Sequence, residues 1–137
     1  MNVRTILCSA LVCIVAIACH KNRGFDDALQ DARSARKALL VEFGADWCSD
    51  CQELARELQH EPLNTCLHEG VKVFKVDVGE FNRNLDIANE LGIDIRNGVI
   101  PTAVFLSPAT GARTTKIGTT EILSFLKQSC PAASNLN

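Results

Sequence analysis

GADWCSDCQEL, running from Gly44 to Leu54, sets a tryptophan against two cysteines held two residues apart, directly after the apolar run Leu39 to Phe43. A pair with this spacing serves as a metal clamp, a structural staple or a redox couple. Its neighbours decide among them. Leu39 to Phe43 is long enough for a buried strand, and beyond Cys51 the residues Leu54, Ala55 and Leu58 recur at helical spacing, so the pair stands at a strand-to-helix junction. Free backbone N–H groups and the positive end of the dipole at a helix start stabilise a thiolate, and the first cysteine gains most. Cys48 is therefore expected to be the nucleophile, and Cys51, one turn on and shielded, to resolve the mixed disulfide that Cys48 forms. Cys48, Cys51, Cys66 and His68 add up to four possible zinc ligands, but Cys66-x-His68 is not a usual second half-site, and no metal is expected.

Upstream, Asp26 and Asp27 open a helical pattern with Ala28, Leu29, Ala32 and Ala35 on one face. Downstream, Pro62 interrupts, Leu63, Cys66 and Leu67 predict one more helical turn, and Val71 to Val78 predicts a second buried strand. Leu85, Ala88 and Leu91 form a helical stripe closed by Gly92. PTAVFL and RTTKI, separated by SPATG, predict a hairpin, and TTEILSFLKQSC finishes as an amphipathic helix halted before Pro131.

With 137 residues, 47% of them apolar, the chain can build one core, and a net charge of -2 with no basic run disfavours nucleic-acid binding. The N-terminus carries Arg4 and then an uncharged apolar block from Thr5 to Ala18, which reads as an export signal too short to span a bilayer. Residues 1–18 are thus expected to be a signal peptide of the lipoprotein type, 19–24 a linker and 25–137 the folded domain. Ala16-Ile17-Ala18-Cys19 suits either ordinary cleavage, leaving a soluble periplasmic protein, or lipidation of Cys19. Losing Cys8 and Cys13 with the leader leaves Cys19, Cys48, Cys51, Cys66 and Cys130, an odd set that lipidation of Cys19 makes even, which favours the lipoprotein.

The strand, Trp47-Cys48-Ser49-Asp50-Cys51, the helix and a later Ile100-Pro101-Thr102 resemble the thioredoxin-like thiol:disulfide oxidoreductases over about Phe25 to Cys130. VEFGADWCSDCQ with KVDVGEFNRNLDI is similar to small exported thioredoxin-like proteins of proteobacteria and to the C-terminal domain of the membrane reductase DsbD. The resemblance implies an α/β thioredoxin fold, a mixed central sheet with helices on both faces. It implies that Glu42 is the buried carboxylate assisting Cys51, with Lys75 near it, and that Pro101 is a cis-proline beside the cysteines. Ile100 would then offer its backbone to an extended substrate, and Trp47 would flank the site as a platform. Gly44 stands where ordinary thioredoxins have an aromatic, which would open the surface near Trp47.

Cys66 and Cys130 would end two helices on one sheet face, where they form either a structural disulfide or two reduced thiols. Ser49 and Asp50 are the redox-tuning positions. The Asp50 carboxylate opposes a thiolate at Cys48, so the disulfide is stabilised and a reductase is favoured, unless Asp50 only caps the helix. The expected function is a monomeric protein-disulfide reductase of the cell envelope needing no cofactor. Its partners would be protein or peptide disulfides and a membrane thiol:disulfide electron donor, and it would touch the membrane only through its lipid anchor. A redox-inactive binding or chaperone module is the alternative, which the presence of both cysteines argues against.

Overall fold

Five consecutive buried residues, Leu39 to Phe43, suit a strand covered on both faces. That strand, β1 (Ala38–Gly44), accordingly runs through the middle of the sheet. The computed structural model describes residues 23–130; the leader, Cys19 and the linker up to residue 22 lie outside the described residues, as does Pro131. The chain runs α1 (Arg23–Ala35), β1, α2 (Ser49–Glu57), α3 (Leu63–Gly70), β2 (Val71–Asp77), α4 (Leu85–Glu90), β3 (Thr102–Leu106), β4 (Arg113–Ile117), α5 (Thr119–Ser129). Helix α1 starts inside the expected linker, at Arg23.

The strand order is β2-β1-β3-β4, with β2 parallel to β1 and the other two pairings antiparallel. Alternation along β1 sends Leu39, Val41 and Phe43 to one face, where they meet Phe25 and Ala32 of α1 and Ile87 and Ala88 of α4. Leu40 faces the other way, among Leu54 and Leu58 of α2, Leu63 and Leu67 of α3, and Ile122 and Leu126 of α5. This is the mixed sheet with helices on both faces that the thioredoxin fold requires.

Two expectations need correcting. The run Val71 to Val78 is an edge strand rather than a buried one: Val73 is 39% exposed and Lys75 is exposed, while Val76 and, just past the strand, Val78 are buried. With β1 as its only sheet neighbour among the described residues, β2 carries charges that a buried strand could not: Lys72 reaches Asp31 of α1 at 3.3 Å, and Lys75 is exposed opposite Glu42. Ala35, expected on the buried face of α1, is exposed in the last turn of the helix, while Ala32 one turn earlier is buried.

The β3–β4 connection closes tightly: Ser107 N–H donates to Ala112 O at 2.9 Å, and Gly111, at φ 72°, supplies the left-handed residue that this turn needs. Cys130 caps α5, and the structure joins it to Cys66 of α3 as a disulfide with Cα atoms 5.8 Å apart. The bridge ties together positions 64 residues apart on one sheet face, and it therefore restricts the unfolded chain strongly. Replacing both cysteines, Cys66→Ala with Cys130→Ala, should lower the unfolding free energy by about 2–4 kcal/mol in a urea titration. No loss, or two free thiols on non-reducing peptide mapping, would count against the bridge.

Candidate active site

Strand β1 delivers the chain to the start of α2, and the connection is short enough that Cys48 N–H donates to Ala45 O at 3.1 Å. Cys48 is the N-cap of α2: its backbone is extended, and its sulfur accepts the Cys51 N–H at 3.1 Å. The position therefore combines a cap with the positive end of a helix, an arrangement that favours negative charge on this sulfur. The two cysteines are bonded to each other, with Cα atoms 5.3 Å apart. Asp50 lies exposed in the first turn of α2 and is not its cap, so the charge at that position is separate from the capping contact. Ser49, the first helical residue, is exposed as well.

Antiparallel pairing places Thr102 opposite Phe43, which brings the start of β3 alongside the end of β1. The Ile100–Pro101 peptide bond is cis, and the carbonyl oxygen of Ile100 lies 3.8 Å from Cys48 Sγ. Trp47 is 52% exposed, and it is held there by contacts no local pattern predicts: its Nε1 donates to Gly79 O at 3.0 Å, and its ring meets the Phe81 ring edge-on at 5.8 Å. Asp77 fixes that loop by accepting from Gly79 N at 2.9 Å and from Arg83 at 2.8 Å. Val99, 61% exposed just before Ile100, adds apolar surface to the same end of the molecule. Phe81 and Val99 were not singled out by sequence, because only the fold brings the β2–α4 loop and the β3 approach to the cysteines.

On the opposite side of the pair lies Glu42, 5% exposed, with Oε2 lacking any hydrogen-bond partner. Burial pushes its carboxyl above the ordinary range, and the positive charge of Lys75, its register partner on β2, draws it partly back. Glu42, Gly44, Cys51 and Lys75 line a cleft of about 420 Å³ together with Asp46 and Gln52. Gly44 does open the surface, but beneath Cys51 and not at Trp47: a Cβ there would stand 3.2 Å from Cys51 Sγ and 3.8 Å from Glu42 Oε1. The expected difference in shielding is absent too, since Cys48 and Cys51 are each 6% exposed. Among the described residues, no three His, Cys, Asp or Glu side chains gather as a metal site; Cys66 pairs with Cys130 instead of joining Cys48 and Cys51.

Because the folded state raises the Glu42 pKa, the native protein holds a proton that the unfolded chain has already released above the ordinary glutamate range. Stability due to this group is full below that range and is lost as pH rises through the folded value. Thermal unfolding of wild type and Glu42→Gln between pH 4 and pH 9 should show the wild type falling relative to the variant with rising pH. Parallel profiles would mean that Glu42 is not titrating from a buried site.

A family model described as thioredoxin-like matches residues 21–108. Thioredoxin H3 of Arabidopsis thaliana is 31% identical over 93 residues, covering 66% of this chain and 68% of the relative. Thiol:disulfide interchange protein DsbD 1 of Pseudomonas aeruginosa is 32% identical over 57 residues, 42% of this chain and only 10% of that protein. Among solved structures, the disulphide isomerase of Xylella fastidiosa superposes with a TM-score of 0.67 at 28% identity, covering 80% of this chain and 92% of that one. A sulfur-capped helix, a buried carboxylate behind it and a proline-led strand beside it agree with these likenesses: the chain belongs to the thioredoxin-like family, as an oxidoreductase with a Cys48–Cys51 pair.

Proposed function

We propose that the protein is a disulfide reductase of the cell envelope that acts on protein or peptide disulfides. The observation that carries the reading is Cys48 at the N-cap of α2 with the Ile100 carbonyl 3.8 Å from its sulfur. The helix end favours the thiolate, and the backbone beside it is where an extended substrate would lie. Cys48 attacks the substrate disulfide, releasing one substrate thiolate and forming a mixed disulfide. Cys51 gives up its proton to Glu42, whose charge is balanced by Lys75, and attacks Cys48 Sγ, releasing the second substrate thiolate. Trp47, Ile100 and Pro101 form the surface that holds the substrate, and Ser49 and Asp50 adjust the balance between thiolate and disulfide.

Asp50 supports the direction. Its exposed carboxylate in the first turn opposes a second negative charge at Cys48, which stabilises the disulfide relative to the dithiol and lowers the reduction potential. A charge effect of about 0.3–1 kcal/mol corresponds to roughly 7–20 mV in a two-electron couple, so Asp50→Asn should raise the potential by that much in a glutathione titration. Dithiothreitol-driven insulin reduction should fall to background in Cys48→Ala. An unchanged potential together with a wild type as oxidising as a disulfide-introducing enzyme would overturn the reductase reading.

The apolar block from Thr5 to Ala18 followed by Cys19 supports export and lipidation, and the likeness to part of DsbD 1 supports a membrane electron donor of that kind. Labelled palmitate should enter the wild type in a Gram-negative host and be lost in Cys19→Ser. Equal labelling of both would remove the anchor from the reading.

A further inference from the structure

We propose that a small aliphatic thiol reaches the oxidised pair through the cleft at Gly44 and attacks Cys51, giving the disulfide a second entrance distinct from the Trp47 and Ile100 side. The inference rests on the reading of Cys48 and Cys51 as an exchange couple. Attack on either sulfur expels the other, and the sulfur whose thiolate is better stabilised leaves faster. At the N-cap of α2, that sulfur is Cys48. Electronically, then, Cys51 is the better electrophile, and access alone can protect it.

Access is what Gly44 provides. A Cβ at this position would press on Cys51 Sγ at 3.2 Å and stand 3.8 Å from Glu42 Oε1, so the vacant point touches both the electrophilic sulfur and a carboxylate. Cys51 lines the cleft and Cys48 does not, which places the opening on the Cys51 side of the S–S bond. The cleft, about 420 Å³, is at the scale of a small-molecule site. Glu42 Oε2, buried and without a partner, is an acceptor for the thiol proton.

The step balances without another reagent. The thiol R–SH passes its proton to Glu42, the R–S sulfur bonds to Cys51 Sγ, the Cys48–Cys51 bond breaks, and its electron pair leaves on Cys48 as thiolate. A second R–SH, losing its proton to solvent, attacks the adduct and releases R–S–S–R. Cys51 then leaves as thiolate and recovers the proton from Glu42. Two thiols are oxidised to one disulfide, and the protein pair is reduced.

Oxidised full-length protein is mixed briefly with cysteamine, quenched in acid, freed of excess reagent and alkylated with N-ethylmaleimide. Fragment-ion mass spectrometry of the peptide holding both cysteines then locates each group. The expected result is cysteamine on Cys51 and maleimide on Cys48, in about tenfold excess over the reverse, with Gly44→Phe reversing the preference and slowing reduction by cysteamine about tenfold. Should Gly44→Phe not fold, Gly44→Ala must still lower the Cys51 share. Cysteamine on Cys48 in the wild type, or a distribution that Gly44 variants leave unchanged, overturns the proposal. If the same preparation still reduces insulin, only the second entrance has failed; no adduct on either sulfur and no insulin reduction would sink the exchange couple itself.

Discussion

The hydrogen bond from Cys51 N–H to Cys48 Sγ is the contact on which the site depends, because it makes the reactive atom part of the helix that holds it. A helix start leaves several N–H groups without intrahelical partners, and a polar side chain ordinarily satisfies one of them. Here a sulfur does so. A disulfide sulfur is a weak acceptor and a thiolate a strong one, so the cap tightens when the pair is reduced. Capping energy and redox potential are therefore linked: whatever positions α2 against the sheet also sets the stability of the reduced form. Thr119 at the start of α5 contributes to that positioning by donating from Oγ1 to Asp50 O at 2.9 Å.

That linkage explains why the central place of β1 matters. With neighbours on both sides, the strand ends in a fixed place, and the register sets three consequences at once. Glu42 falls on the face beneath α2 and opposite Lys75. Gly44 falls at the last pair, opposite Asp77. Thr102 falls opposite Phe43, so the preceding Ile100 and Pro101 stand beside Cys48. A one-residue slip of β1 would turn Glu42 to the other face, among Phe25 and Ile87, and put Val41 or Phe43 under Cys51.

The local part of this design was legible in the residues. The strand, the cysteine pair and α2 are contiguous, and the amphipathic stripes of α1, α4 and α5 repeat at intervals of three and four, so short-range patterns identify them. What depends on contacts between distant segments was not. The apolar reading of Val71 to Val78 could not show that β2 would have a neighbour on one side only. The tether of Trp47 to Gly79 and Phe81 joins segments about thirty residues apart, and the opening at Gly44 acquires its meaning only once Cys51 and Glu42 lie around it. Asp50 illustrates an ambiguity that only geometry resolves: an acid at a helix start is either cap or neighbour, and the capping place is already taken by Cys48.

The buried carboxylate and the missing side chain at Gly44 bear on one another. An ionised Glu42 without a hydrogen-bond partner is costly in a closed core, and the cost grows as water is excluded. A larger residue at position 44 would fill a point that lies against both Glu42 Oε1 and Cys51 Sγ, deepening the burial of the one and covering the other. Leaving that point empty moderates the penalty for the charge that proton transfer needs, and it uncovers the sulfur that a resolving cysteine otherwise keeps hidden. Both effects follow from the same vacancy, so the acid–base behaviour of Glu42 and the accessibility of Cys51 cannot be tuned independently at this position.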